Sequence, residues 1–199
     1  IPLGVAFIIP VLGLVKPGRF SAALALLATA ALVVLGAYTF TGDSVTVAWM
    51  GGWVGKISPE SLTGIAMVCD GLTRMMLLII NGVALVAILF SLSYMRDYTQ
   101  VYLYYSPFLL MVAGMNAIVL SGDLFNMYVF LEVAAVASYA LVGFGVESEE
   151  LEASFKYLVL SAVASGFILF GVAIMYSATG TLNLGQIAHV LQGTEPTKA

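Results

Sequence analysis

From Gly122 to Val142 the sequence is long and apolar enough to cross a bilayer, yet past Asp123 it carries a single charged side chain, Glu132. An α-helix rises about 1.5 Å per residue, so a hydrocarbon core of about 30 Å takes roughly 20 residues. A helix starting near Asp123 places Glu132 roughly 13 Å along its axis, well inside the membrane. A carboxyl group at that depth is costly and has to face other helices or water rather than lipid. Two readings of Glu132 follow. It is a station for moving protons or ions, or it is a protonated acid bonded to a neighbouring helix.

The remainder of the chain is written for the same solvent. Of its 199 residues 61% are hydrophobic and 9% charged, where a soluble domain carries roughly a quarter charged residues. The expected fold is all-α and integral to the membrane. It is a bundle of about six transmembrane helices with a short β-hairpin-like loop between the second and third. The single Cys69 rules out a disulfide within the chain, and no Cys/His spacing suits a metal or another cofactor. A net charge of −4 with no basic stripe excludes nucleic acid as a partner. The first residues lack the charged region and cleavage site of a signal peptide. The chain opens on Ile1 inside an apolar run and stops abruptly at Ala199. The expectation is one transmembrane domain over 1–199 that forms the N-terminal portion of a larger subunit.

Apolar runs place helices at about 1–15, 20–41, 71–94, 101–120, 123–145 and 149–177. A short amphipathic helix is expected along the interface at 182–192, with Leu184, Ile187, Val190 and Leu191 on its apolar side. Between the second and third helices, Val45, Val47, Trp49 and Trp53 are interleaved with Gly51, Gly52, Gly55 and Pro59. Alternation and glycines suggest a hairpin, and the tryptophans suit a membrane–water boundary. Asp70 and Arg74 stand at i, i+4 at a helix start, where a cap or an ion pair explains both. Asp123 is placed as an N-cap. Pro107 lies in the first turns of the fourth helix, where it frees a carbonyl near Leu103. The acidic run Glu147-Ser148-Glu149-Glu150-Leu151-Glu152 suits the first turns of the sixth helix with Ser148 as its cap. His189, the sole histidine, reads as exposed or capping rather than catalytic.

Six spans put the turns at 16–19, 95–97 and 147–152 on one side, and the segments 42–69, 121–123 and 178–199 on the other. Lys16, Arg19 and Arg96 favour the first side as cytoplasmic, while Lys56 and Lys198 oppose it.

Lys156 is the second charge of interest. It lies one turn beyond Glu152, about 6 Å deeper. An i, i+4 pair with Glu152 and a snorkelling side chain account for it structurally. The alternative is a second station on a hydrated path. On adjacent antiparallel helices its backbone and that of Glu132 differ in depth by about 10 Å or more, too far for a comfortable buried ion pair. Small residues follow both charges: Ala134, Ala135, Ala137 and Ser138 after Glu132, and Ser161, Ala164 and Ser165 after Lys156. They let membrane helices approach closely.

Two longer motifs carry a resemblance. Gly122-Asp123-Leu124-Phe125-Asn126, leading into Phe130-Leu131-Glu132, resembles the antiporter-like subunits of respiratory complex I, Mrp-type cation/proton antiporters and membrane-bound hydrogenases. So does Glu152-Ala153-Ser154-Phe155-Lys156-Tyr157-Leu158-Val159-Leu160, continuing to Tyr176-Ser177-Ala178-Thr179-Gly180-Thr181-Leu182-Asn183-Leu184. The Trp- and Gly-rich segment before Asp70-Gly71-Leu72 is similar as well. The resemblance implies a longer family member of about fourteen helices, in which the glutamate matched by Glu132 belongs to a proton-translocation route. It also implies a lysine near the start of the sixth helix, matched by Lys156. This chain departs from the pattern by ending before the broken seventh helix, which in the family carries the partner lysine of that glutamate.

The implied function is a proton- or cation-translocating subunit of a multi-subunit, energy-converting complex in the cell membrane of a prokaryote. The chain holds no catalytic centre and no cofactor of its own. It would serve a redox-driven ion pump of the NADH-quinone oxidoreductase or hydrogenase type, or a multi-subunit cation/proton antiporter. Its partners would be other membrane subunits, the lipid bilayer and, in the redox-driven case, a soluble redox arm. The competing reading is a membrane scaffold that docks partner subunits without an ion path of its own. Nothing in the residues offers a quinone site.

Overall fold

A computed structural model describes residues 1–13, 19–42, 45–51, 64–95 and 101–193. They form seven helices and one two-stranded sheet: α1 (Pro2–Gly13), α2 (Arg19–Thr39), β1 (Thr46–Met50), β2 (Ile65–Cys69), α3 (Gly71–Tyr94), α4 (Tyr102–Leu120), α5 (Leu124–Val142), α6 (Ser148–Thr179) and α7 (Leu184–Gly193). Five of these, α2 to α6, are long and apolar enough to cross a membrane, and α1 is a shorter apolar helix of 12 residues. The chain is a multi-pass, all-α membrane protein with one small hairpin. The basic residues Lys16, Lys56, Arg96 and Lys198, which bear on the sidedness of the bundle, lie outside the described residues, as do Trp53 and Pro59 and the side chain of Arg19.

Helix α4 is the centre of the bundle, packing against α1, α2, α3 and α5. Its buried Tyr105, Leu109 and Val112 meet Ile9 of α1, Ala25 of α2 and Ile88 of α3 in one apolar core. Pro107 sits within α4 without ending it. Next to it, the Ser106 hydroxyl donates to the Ala6 carbonyl of α1 at 2.7 Å, tying two helices through a polar contact shielded from lipid.

Helices α4 and α5 approach each other closely at Gly114. A Cβ on Gly114 would come within 2.9 Å of the Ala134 backbone and side chain and of the Phe130 carbonyl. Only a glycine lets the two backbones sit that near. Helix α6 is peripheral. It packs against α5 and α7, and most of its apolar side chains, Phe155, Leu160, Phe167 and Phe170 among them, face outward. An outward apolar surface is what lipid or a neighbouring membrane helix requires.

On one side of the bundle the loops are stitched together by backbone hydrogen bonds. Strand β1 pairs antiparallel with β2, with Thr46 opposite Cys69 and Met50 opposite Ile65. The Gly122 N–H donates to the Ala66 carbonyl of β2 at 2.8 Å, the Leu124 N–H to Leu182 at 2.9 Å, and the Leu184 N–H to Gly122 at 3.0 Å. Gly122 is required there, because a Cβ would lie 2.8 Å from the Val68 side chain. The segments before α3, before α5 and before α7 thus share one face of the membrane domain.

Three helix starts use an Asp or Asn side chain as cap. Asp70 accepts from the Thr73 N–H at 2.8 Å, Asp123 from the Asn126 N–H at 2.9 Å, and Asn183 from the Gly185 and Gln186 N–H groups at 3.0 and 3.2 Å. The start of α6 corrects the expectation for Ser148. Glu147 occupies the cap position, and its N–H donates to the Glu150 carboxylate at 3.4 Å. The reciprocal Glu–Glu arrangement satisfies the end one residue earlier, and Ser148 becomes the first helical residue.

Candidate functional site

Helix α5 rises to Glu132 eight residues after its first residue, about 12 Å along its axis. Phe130 and Ala134 turn toward Gly114 of α4. Two residues beyond Phe130 is about 200° around a helix, so Glu132 lies on the flank away from α4. Tyr139, seven residues on, shares that flank and meets Tyr157 of α6 edge-on, with ring centroids 6.2 Å apart. Glu132 is half-buried. Its Oε1 is shielded and has no hydrogen-bond partner among the described residues. A shielded polar oxygen left unpaired costs on the order of 1–3 kcal/mol.

Lys156 occupies a different environment. Its Nζ donates to Glu152 Oε1 at 2.5 Å, and the two side chains remain 68% and 64% exposed. The helix start at Ser148 lies eight residues away, and α6 has 32 residues. At about 1.5 Å per residue that length is about 48 Å, well beyond a hydrocarbon core of about 30 Å. The pair therefore suits the polar end of an overlong helix.

The structure does not bring Glu132 and Lys156 together. The Ser154 hydroxyl donates to the Tyr139 carbonyl at 2.7 Å, which levels those two positions. Glu132 is seven residues deeper on α5 and Lys156 two residues deeper on α6. The axial gap is about 7.5 Å, less than the roughly 10 Å or more expected from the sequence. Lys156 is also about 200° around α6 from Ser154, hence on the flank turned away from α5.

Two polar residues that no sequence pattern singles out lie at the depth of Glu132. Asn116 Nδ2 of α4 donates to Asn81 Oδ1 of α3 at 2.8 Å, with both residues buried. Gly114 packs on the two residues that flank Glu132, so Asn116 is within about 3 Å of its depth. An uncharged amide breaks an apolar run less visibly than a carboxylate, and its partner is 35 residues away in sequence.

At the loop face, a cavity of about 900 Å³ opens beneath the hairpin, between the starts of α3 and α7 and the end of α4. Asp70 and His189 are among its walls. Hydrogen bonds from Thr73, first from its backbone N–H, hold the Asp70 carboxyl below the usual carboxylate range. Beside it, Arg74 donates to the Gly42 carbonyl at the end of α2. No cluster of three or more His, Cys, Asp or Glu suited to a metal occurs among the described residues.

The family model for NADH:quinone oxidoreductase/Mrp antiporter transmembrane segments matches residues 121–198. The model for the N-terminus of chain 5 of NADH-ubiquinone oxidoreductase (complex I) matches residues 61–105. The chain is 35% identical over 146 residues to a Na(+)/H(+) antiporter subunit from Alkalihalophilus pseudofirmus, covering 73% of this chain and 28% of that protein. It is 39% identical over 133 residues to a probable K(+)/H(+) antiporter subunit from Rhizobium meliloti, covering 67% of this chain and 24% of that protein. Among solved structures, a chain of the membrane-bound sulfane sulfur reductase, an archaeal respiratory membrane complex, superposes with a TM-score of 0.85 at 30% identity. That match covers 98% of this chain and 39% of the other. The chain therefore spans about a quarter of the length of these curated relatives.

Proposed function

The chain belongs to the superfamily of complex I and Mrp antiporter membrane subunits, and from that membership we propose that it forms part of a proton- or cation-translocating subunit of a multi-subunit complex. Glu132 is the proposed station on the ion path. The observation that carries this reading is its carboxyl group, about 12 Å inside α5, half-buried and with one shielded oxygen unpaired. Such a group can take up and release a proton as water or a mobile cation reaches its flank. Lys156 is the second proposed station, at the polar end of α6, where it exchanges between Glu152 and the path. The proposed partners are other membrane subunits, which would cover the outward apolar surface of α6, together with lipid. A soluble redox arm belongs to the proposal only if the complex is redox-driven. The proposed location is the cell membrane of a prokaryote.

The test is Glu132→Gln in the whole subunit within its complex. The expected result is loss of proton or cation transport in sealed vesicles with the complex still assembled. The scaffold reading predicts the reverse, a complex that fails to assemble. Retained transport with intact assembly would remove Glu132 from the path.

A further inference from the structure

The cavity beneath the hairpin is separate from the Glu132 flank, and neither proposed station lines it. At about 900 Å³ it has the size of a small-molecule site. Its walls are mostly apolar: Val47 from β1, Val68 from β2, Leu72 and Met76 from α3, Ile118 from α4 and Leu184 from α7. Against this lining stand two features of a different kind. Trp49 offers an aromatic face, and Asp70 is the formally charged side chain among the lining residues at pH 7, His189 counting as neutral.

We propose that this cavity binds an organic cation with an apolar body, its charged head at the Asp70 carboxylate and its body along the wall that Trp49 and the apolar side chains form. A desolvated cation gains from an aromatic face and from a nearby carboxylate, while the apolar body fills the remaining volume. An anion is the competing choice, because α3 and α7 begin at the wall and helix starts attract negative charge. Those starts are already served by Asp70 on Thr73 and by Asn183 on Gly185 and Gln186, and Asp70 would repel the anion directly. Bare metal cations fit poorly, since a mostly apolar wall cannot replace the oxygen shell they need.

The test uses the whole subunit in lipid nanodiscs, with benzyltrimethylammonium as probe, benzenesulfonate as its anionic counterpart and empty nanodiscs as the partitioning control. Binding is read by saturation-transfer NMR on the probe and by tryptophan fluorescence. The expected result is saturable binding of the cation alone. Asp70→Asn is the informative variant, because asparagine caps a helix as well as aspartate does and so removes the charge without removing the cap. It should weaken the cation by about tenfold or more with the helical circular dichroism unchanged. Trp49→Phe, which keeps a smaller aromatic face, should weaken it less. Equal response to the two ions, no response above the empty nanodisc, or undiminished binding in Asp70→Asn would each overturn the proposal. None of these outcomes bears on Glu132, whose test is ion transport.

Discussion

The Ser154 hydroxyl of α6 donates to the Tyr139 carbonyl of α5 across the helix seam, at 2.7 Å. This bond fixes how the two helices that carry the proposed stations slide against each other. From it, Glu132 lies deep on the α5 flank that also carries Tyr139, while Lys156 lies shallow and turned away. The two charges cannot neutralise one another without a change in that seam. Each therefore has to be understood in its own surroundings.

For Lys156 those surroundings are Glu152 and solvent. An exposed i, i+4 pair contributes about 0.3–0.5 kcal/mol, and less once salt screens it. Lys156→Ala and Glu152→Gln should therefore each shift thermal stability by no more than a degree or two. If Lys156 is a station, Lys156→Ala should slow ion transport several-fold while Glu152→Gln leaves it near normal. Equal small effects on transport from both variants would reduce Lys156 to a surface ion pair.

Gly114 should be among the least replaceable residues of the bundle. A Cβ there would press on the Ala134 side chain and on backbone atoms of both Ala134 and Phe130, none of which can swing aside. Gly114→Val should destabilise the α4–α5 pair by about 1–3 kcal/mol, the usual range for overpacking. The loss is measurable as a lower midpoint in a denaturation series in mild detergent. Because those atoms bracket Glu132, transport should fall even in protein that remains folded.

Much of this architecture was legible from apolar runs and cap chemistry. Asp70 and Asp123 announced the starts of α3 and α5, since an acid before a long apolar run has few other uses. Alternation with glycines announced the hairpin. Glu132 stood out because nothing else charged lies within α5. What stayed hidden depends on distance in space rather than spacing in sequence. The Asn81–Asn116 bond joins two helices, the sheet-like stitching of Ala66, Gly122 and Leu182 joins three loops, and the cavity at Asp70 exists only when those loops meet. The cap of α6 was misplaced by one residue because two glutamates there do what a serine would ordinarily do.

The Asn81–Asn116 bond should show strong coupling in a double-mutant cycle. Asn116→Leu alone leaves the Asn81 amide oxygen buried without its donor, and Asn81→Leu alone strands the Asn116 amide in the same way. Replacing both removes the stranded groups together. The double variant should be less destabilised than the two single variants summed, by about 0.6–1.7 kcal/mol, the range found for hydrogen bonds between membrane helices. Strict additivity would show that the two amides do not depend on each other.

Asp70 gives the fold an acid-sensitive edge with a definite direction. Its carboxyl is held below the usual range by the Thr73 N–H that it caps, so the folded state favours the ionised form. A group whose folded value is depressed adds stability that is fully present above its unfolded value and is lost as pH falls through the folded one. The first turn of α3 should therefore be protected at neutral pH and begin to open only in acid, below the ordinary aspartate value of 3.8. Amide exchange at Thr73 and Arg74 across an acid series reads this opening directly. In Asp70→Asn the cap persists without a titrating group, so protection there should become flat with pH. Acid opening that survives in Asp70→Asn would assign it to another carboxylate, leaving Asp70 as a cap whose charge is incidental to the fold.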